Sequence, residues 1–134
     1  MIAIDTSAVV AILMRELEAD AFLRLILSEH AIVGTPTLIE ACIVLEQKLP
    51  GQARRAVDRF LDESLINVVA FDEAMFEAGA DAFLRYGKGR GHPAQLNFGD
   101  CFSYAVARTY AVPLLFKGRD FVHTDLVPAY VPAP

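Results

Sequence analysis

Short apolar runs alternate with longer amphipathic segments along this chain, and this alternation constrains the fold more than any other feature. Four runs, residues 1–4, 31–34, 66–69 and 112–116, are predicted strands. An apolar run of this length, bounded by polar or turn residues, is typical of a buried strand. Strands that alternate with helices form a parallel sheet that is covered on both faces. We therefore expect an α/β fold with a mostly parallel central sheet.

Six helices are predicted around these strands, from apolar residues at helical spacing and from capping residues at the helix starts. Thr6 and Ser7 are expected to cap the first helix, and Asp72 the fifth. Thr35 is expected to cap the third helix, with Pro36 in its first turn. The predicted helices cover approximately residues 8–13, 17–28, 36–48, 54–64, 73–86 and 98–110.

The length of 134 residues, with 54% hydrophobic residues, predicts a single domain spanning residues 1–134. The longest apolar stretch, residues 8–14, falls short of the roughly 20 residues of a membrane helix. The first residues lack the basic segment and cleavage site of a secretory signal, so we expect a cytoplasmic protein. Cys42 and Cys101 lack the spacing of a zinc or redox motif and are predicted to be reduced core thiols.

The formal net charge of −5 argues against a protein that holds nucleic acid through a broad positive field. Acidic residues can, however, be concentrated in one pocket and neutralised there by cations. The net charge therefore weakens a nucleic-acid function without excluding it.

Four acidic residues fall near one edge of the predicted sheet. Asp5 directly follows the first strand, and Asp120 follows the fourth strand after a short turn. Glu40 lies early in the helix after the second strand, and Asp100 lies in the first turn of the last helix. Because right-handed crossovers bring the carboxyl ends of parallel strands to the same edge, and ligands bind there, we expect these acids to form a site.

Structural roles also exist for two of these acids at helix starts. Asp100 lies three residues after Asn97, where a carboxylate simply faces the positive end of the helix dipole. Thr37 and Glu40 match a capping box, in which Glu40 would bond back to the helix start. If Pro36 takes the first helical position, Glu40 lies beyond that reach. Both alternatives stay open from the sequence.

A purely structural role explains Asp120 more easily than Asp5, the other acid that follows a strand. Asp120 fits an ordinary turn residue, a common role for Asp. Asp5 is harder to explain in this way, because an acid at the end of a buried strand loses solvation that must be replaced. The functional interpretation depends on the convergence of all four acids at one edge.

Carboxylates packed together repel one another, so one or more must bind a proton unless a cation joins them. Carboxylate oxygens select hard ions such as Mg²⁺, which completes its shell with water and substrate phosphate. This chemistry suits phosphodiester hydrolysis. The histidines, His30, His92 and His123, form no recognisable ligand or triad pattern and are predicted to be surface or loop residues.

At these residues the chain resembles the PIN-domain ribonucleases, and most closely the VapC-type toxins of bacterial and archaeal toxin–antitoxin pairs. The resemblance spans essentially the whole chain. It implies an α/β/α sandwich, an RNA substrate, a homodimer, and a VapB-like antitoxin that blocks the acidic site, often with a basic side chain. It also implies Mg²⁺ or Mn²⁺ held by Asp5, Glu40, Asp100 and Asp120. The segments that carry it are Ile4-Asp5-Thr6-Ser7-Ala8, Glu40, Leu96 to Phe102 and Leu114 to Phe121.

Two features near the fourth acid depart from this family pattern or compete with it. Related sequences often carry a small polar residue where this chain has Arg119. A bulky cation beside Asp120 would alter the metal geometry or contact phosphate. Asp125 is a second acid nearby, so Asp120 has a rival, although a C-terminal turn role for Asp125 is the simpler interpretation.

Basic residues near the acids are candidates to contact phosphates of the substrate. Three of them, Lys88, Arg90 and His92, lie in a glycine-rich segment, residues 87–93, that is predicted to be a mobile loop. An ordinary solvated loop explains these three equally well. Lys117 and Arg119 are further candidates.

Three other functions are weighed against the nuclease. A phosphoacceptor receiver would need paired acids after the first strand, but Thr6 and Ser7 follow Asp5 there. A haloacid-dehalogenase-type phosphatase would need an acid where Ser7 stands. The third alternative, a catalytically silent protein of the same fold that binds RNA or antitoxin, is not separated from the nuclease by sequence.

Overall fold

The computed structural model describes residues 1–134 as four short strands and six helices in strict alternation of strand and helical segments. Two helices separate each pair of successive strands, and the chain returns to the sheet in the same direction each time. The elements are β1 Ile2–Ile4, α1 Thr6–Leu13, α2 Ala19–Glu29, β2 Ala31–Gly34, α3 Thr35–Lys48, α4 Ala53–Glu63, β3 Asn67–Val69, α5 Glu73–Tyr86, α6 Phe98–Tyr110 and β4 Leu114–Leu115.

The strands form one parallel sheet in the order β3-β2-β1-β4, which confirms the predicted α/β class. Alternate residues of each strand point to opposite faces. Ala3, Ile32 and Leu114 pack with α5 and α6 in one core. On the opposite face, Ile4 and Val33 pack in a second core with residues of α1 to α4. The two cores make a three-layer α/β/α sandwich.

Three helix starts differ from the sequence prediction. Asp5, rather than Thr6 or Ser7, caps α1, because its carboxylate accepts a hydrogen bond from the backbone N–H of Ser7. The N-cap of α3 is Gly34, so Thr35 already lies in the helix and does not cap it. The predicted start of α2 at Leu17 is wrong, since the helix begins at Ala19 and Leu17 is fully exposed. Asp72 caps α5 as predicted.

The fourth strand is shorter than predicted and covers only Leu114–Leu115. The backbone N–H of Val112 bonds to the carbonyl of Ala107 and therefore belongs to the end of α6. On its outer side β4 forms only an isolated bridge, between Leu114 and Pro128. None of the helices has both the length and the apolar character needed to cross a bilayer.

Candidate active site

Asp5 lies at the carboxyl end of β1, and its backbone N–H bonds to the carbonyl of Leu115 in β4 at 2.9 Å. The side chain is buried, with 5% of the residue exposed. Its Oδ2 accepts hydrogen bonds from the backbone N–H of Ser7 at 3.0 Å and from the Ser7 hydroxyl at 2.6 Å. Its Oδ1 accepts one from the hydroxyl of Ser103, on α6, at 2.5 Å. These donors replace the lost solvation and hold the carboxylate in one orientation.

Glu40 lies in the second turn of α3 and contacts Thr6, the residue that follows Asp5. The hydroxyl of Thr6 donates to its Oε1 at 2.5 Å, so the capping box proposed for Glu40 does not form. A Cβ atom added at Gly99 would collide with the Glu40 carboxylate. Glycine at this position therefore allows the first turn of α6 to approach Glu40 closely.

Asp100 occupies the first turn of α6 and has the structural role that its sequence position suggests. Its Oδ2 accepts a hydrogen bond from the backbone N–H of Asn97 at 3.0 Å, and the Asn97 side chain accepts one from the N–H of Asp100 at 2.8 Å. This reciprocal pair is a capping box. The cap uses only one carboxylate oxygen of Asp100, and its Oδ1 makes no hydrogen bond within the chain.

Asp100 also belongs to the acidic cluster, which we define as Asp5, Glu40, Asp100 and Asp120. Burial raises the pKa of Asp100 from its ordinary value of 3.8 to about 7. The hydrogen bond from Asn97 lowers this pKa, whereas the charges of Asp5, Asp120 and Glu40 each raise it further. A structural cap and a functional cluster are therefore not alternatives at this residue.

The structure separates Asp120 from its rival Asp125. Asp120 is exposed in the turn after β4, and its charge acts on Asp100. This turn is held beside α1 by a hydrogen bond of 3.0 Å from the backbone N–H of Lys117 to the Ser7 hydroxyl. Asp125 instead accepts a hydrogen bond from the hydroxyl of Tyr104 at 2.6 Å and faces two arginines. The structure thus brings Asp120, and not Asp125, to the cluster.

No member of the acidic cluster forms a salt bridge within the chain. Lys117, the nearest lysine in sequence to the fourth acid, pairs with Glu16 at 2.9 Å and Glu18 at 3.1 Å. These hydrogen bonds raise the pKa of Lys117. Arg119 is exposed and has no acidic partner. The cluster therefore carries negative charge that the protein itself leaves unneutralised.

As the side chains stand, no three His, Cys, Asp or Glu residues form a group that could hold one metal ion directly. The donor chemistry nevertheless suits a hard cation, since all four groups are carboxylates that lack a basic partner. Mg²⁺ binds commonly through one or two carboxylates together with several waters and substrate phosphates, and does not need a complete protein cage. The residues present thus fit a magnesium or manganese site.

The site contains polar residues that sequence reasoning does not assign to it. The sequence pattern treats Thr6 and Ser7 only as caps, and it does not single out Ser103 or Gly99. Ser103 is 1% exposed and also lies 3.4 Å from the hydroxyl of Thr37, on α3. The sequence could have predicted Ser103 as a site residue from its position three residues after Asp100 on α6, because residues three apart lie on the same side of a helix.

The remaining histidines and cysteines behave largely as predicted. His30 ends α2 and is exposed, as is His123 in the turn after β4, while His92 lies in the loop before α6 and is half-buried. Both cysteines are free, and Cys101 is buried, but Cys42 is only half-buried on α3. None of these side chains lies in the acidic cluster.

Comparison with known proteins identifies the family. The PIN domain family model matches residues 2–126. Ribonuclease VapC42 of Mycobacterium tuberculosis is 41% identical over 127 residues, which cover 94% of this chain and 97% of that protein. Among solved structures, the fold is similar to VapC20 of M. tuberculosis, a sarcin–ricin-loop-cleaving toxin, with a TM-score of 0.74, 18% identity, and coverage of 95% of this chain and 97% of that one.

A toxin–antitoxin complex from Klebsiella pneumoniae contains a second similar fold, with a TM-score of 0.71, 17% identity, and coverage of 97% of this chain and 98% of that one. The two structural likenesses concern the fold alone. The family model and the 41% identical relative each cover nearly the whole chain. The chain therefore belongs to the PIN-domain family, in its VapC branch.

Proposed function

We propose that this chain is the toxin of a toxin–antitoxin pair, an endoribonuclease that hydrolyses RNA phosphodiester bonds at a Mg²⁺ or Mn²⁺ site. The observation that carries the proposal is the acidic cluster: the charges of Asp5, Glu40 and Asp120 act on the buried carboxyl group of Asp100, and none of the four acids has a basic partner. The naming of the full-length relative VapC42 as a ribonuclease supports the substrate and the reaction.

Asp5, Glu40, Asp100 and Asp120 would hold the metal. A bound divalent cation supplies a water nucleophile of lowered pKa and stabilises the charge of the reacting phosphate. The chain's own residues contribute orientation. Ser7 and Ser103 fix the two oxygens of Asp5, and Thr6 fixes one oxygen of Glu40. Such fixed carboxylates need little reorganisation when substrate binds.

Asp100 contributes a carboxylate oxygen that is free of internal hydrogen bonds. Its Oδ2 is bound in the α6 cap, and its Oδ1 is available to ligand or water. Asp120 differs from the other three acids in being exposed, so it is accessible to substrate from solvent. Two buried acids, Asp5 and Asp100, together with the half-buried Glu40 and the exposed Asp120 suit a site that must bind a large polymer at the protein surface.

We also propose a VapB-like antitoxin as the partner of this chain. The absence of any internal cation at the acidic cluster supports this, because a basic side chain of the antitoxin would compensate the same charges that serve catalysis. The description of a similar fold as part of a toxin–antitoxin complex adds support. An RNA target and an antitoxin made by the same cell would place the protein in the cytoplasm.

An exposed aromatic surface supports the proposal of a homodimer. Phe76 and Phe83 of α5 are 63% and 42% exposed, and Phe98 of α6 is 79% exposed. Together with Phe71 and Phe102 they line an almost entirely apolar hollow. Contiguous exposed aromatic side chains of this kind mark protein interfaces. Light scattering after size exclusion would measure a dimer mass, and Phe98→Ser would shift it toward the monomer.

The decisive experiment measures RNA cleavage by the purified chain, free of antitoxin, with Mg²⁺ or Mn²⁺ and with chelator. We expect cleavage that needs the metal and is lost in Asp5→Asn and in Asp100→Asn. Both changes keep side-chain size and hydrogen-bonding capacity while removing a negative charge. Equal activity in the wild type and both variants, or activity in the presence of chelator, would contradict the proposed chemistry. A folded wild type that binds RNA but cuts none of a panel of cellular RNAs would favour the catalytically silent alternative.

A further inference from the structure

A polar hollow with a volume of about 530 Å³ lies outside the acidic cluster, between the end of α5, the loop before α6 and the turn after β4. None of the four clustered acids lines it. We call it the arginine hollow. Its lining residues are Arg85, Tyr86, His92, His123, Thr124 and Asp125.

Tyr86 forms a rigid base for this hollow. The tyrosine is 5% exposed, and its ring lies against two of the lining side chains. The guanidinium carbon of Arg85 lies 4.7 Å from the ring centroid, as in a cation–π contact. The ring of His92 stands edge-on to Tyr86 with centroids 4.9 Å apart. Arg85 and His92 are therefore oriented before any ligand arrives.

Asp125 lies near two arginines, Arg85 and Arg108, but accepts no hydrogen bond from either. Its Oδ1 accepts the hydrogen bond from Tyr104, and its Oδ2 lies 3.7 Å from Arg85 and 4.0 Å from Arg108. At these distances neither guanidinium donates a hydrogen bond to the carboxylate. Two guanidinium charges against one carboxylate leave a positive excess, in a chain whose net charge is −5.

Both arginines can reach a ligand, since their side chains are 58% and 61% exposed. The turn that carries His123 beside them is well defined. The hydroxyl of Thr124 donates to the carbonyl of Phe121 at 2.8 Å and accepts from the N–H of Leu126 at 3.3 Å. The hollow thus combines Arg85, which is stacked on Tyr86, with an open side, and Arg108 lies next to the lining residue Asp125.

We propose that the arginine hollow binds a backbone phosphate of the RNA strand, at a nucleotide away from the cleaved bond. This inference rests on the proposed ribonuclease function and deepens it. Tyr104 and Arg108 follow Asp100 on α6 by one and two turns, which is about 6 and 12 Å along the helix axis. An RNA strand that runs from the acidic cluster along α6 would pass within reach of these arginines. Forked guanidinium donors match phosphate oxygens.

The test measures equilibrium binding of two short fluorescein-labelled single-stranded RNAs, one rich in uridine and one rich in adenine, by anisotropy. Chelator is present, and the KCl concentration is varied. The proteins are the wild type, Arg85→Gln/Arg108→Gln, and the matched control Arg54→Gln/Arg55→Gln. The control removes the same charge from exposed positions on α4. Thermal unfolding of each protein checks that it is folded.

We expect weaker binding by the Arg85/Arg108 variant, with a slope of log K against log[KCl] shallower by about 0.7 for each phosphate that the variant no longer neutralises. The weakening is the same for both RNAs, because phosphate contacts carry no base information. The Arg54/Arg55 control keeps the wild-type slope. An unchanged slope in the Arg85/Arg108 variant, an equal weakening in the control, or no RNA binding by the wild type would overturn the proposal.

A glutamate-rich peptide serves as competitor. Tighter binding of this peptide than of RNA, abolished in the Arg85/Arg108 variant, would assign the hollow to a protein partner and overturn the RNA proposal. Cleavage assays keep this result separate from the proposed function. If the chain cleaves RNA with metal but the salt slope is the same in the Arg85/Arg108 variant, the phosphate site is contradicted and the nuclease proposal is kept. If the salt slope of RNA binding depends on the two arginines but no RNA is cleaved, the phosphate site is supported and the nuclease proposal is contradicted.

Discussion

The hydroxyl of Ser103 donates a hydrogen bond to Oδ1 of Asp5, joining two residues that lie 98 positions apart in the chain. Both residues are buried, and the bond connects the end of β1 to α6. With Ser7 on the other oxygen, it fixes the Asp5 carboxylate from two sides. The stability of the sheet edge and the orientation of Asp5, a proposed metal ligand, therefore depend on the same hydrogen bond.

Replacing Ser103 by alanine is expected to lower both the free energy of unfolding and the affinity for Mn²⁺. The buried carboxylate loses one donor, which costs about 1 to 3 kcal/mol. Denaturant unfolding and Mn²⁺ titration by calorimetry measure the two effects. Ser28→Ala is the control, because the Ser28 hydroxyl donates a hydrogen bond to the backbone carbonyl of Leu25 and is exposed on α2. Unchanged Mn²⁺ affinity in the Ser103 variant would show that this hydroxyl serves stability alone.

Gly99→Ala is expected to impair cleavage by displacing Glu40. In a helix, alanine is ordinarily more stable than glycine by about 1 kcal/mol, but here the added Cβ collides with the Glu40 carboxylate. A double-mutant cycle with Glu40→Ala isolates this collision. The alanine at position 99 destabilises the wild-type background and is neutral or stabilising when Glu40 is absent. Equal effects in both backgrounds would contradict the close approach.

Asp100 predicts a pH dependence of stability for the metal-free chain. Because the folded-state pKa of this acid is raised to about 7, the folded chain binds more protons than the unfolded chain between about pH 4 and pH 7. Its contribution to stability is therefore fully present below about pH 4 and is lost as the pH rises to and through about 7. Denaturant unfolding across this range measures the loss, with Asp100→Asn as the reference. We expect the free energy of unfolding of the wild type to fall relative to that of the variant as the pH rises. A difference that stays constant with pH would contradict the raised pKa of Asp100.

Metal binding should follow the opposite direction with pH. A cation binds the ionised carboxylate, so Mn²⁺ binding to the wild type strengthens from pH 6 to pH 8 and releases protons. Calorimetry in buffers of different ionisation enthalpy measures that proton release. Asp100→Asn binds Mn²⁺ more weakly and releases fewer protons. Proton release that is the same in the variant as in the wild type would place the titrating group elsewhere.

Asp120 and Asp125 are distinguished by Mn²⁺ affinity. Asp120→Asn is expected to weaken Mn²⁺ binding with little change in stability, since the side chain is exposed and makes no hydrogen bond within the chain. Asp125→Asn is expected to leave Mn²⁺ affinity unchanged, because Asp125 faces Tyr104 and the two arginines instead of the cluster. The reverse pattern would make Asp125 the fourth acid.

Much of the local structure follows from the sequence because its determinants are local. The strand at residues 31–34 and the helix ends at Lys48, Tyr86 and Tyr110 lie where the sequence predicts them. Caps are less predictable. Asp5 and Thr6 can both cap a helix, but in the structure Asp5 is the cap, and the Thr6 hydroxyl donates instead to Glu40 of α3.

The sequence by itself determined the alternation of strands and helices and the α/β class, because hydrophobic periodicity and crossover handedness act along the chain. It also predicted a sheet edge at which the four acids would lie. Only the tertiary structure decided which groups meet there. The Ser103 hydroxyl on Asp5, the close approach of Gly99 to Glu40 and the separation of Asp120 from Asp125 join segments distant in sequence. Such contacts depend on how α3 and α6 pack against the sheet, and no local pattern encodes that packing.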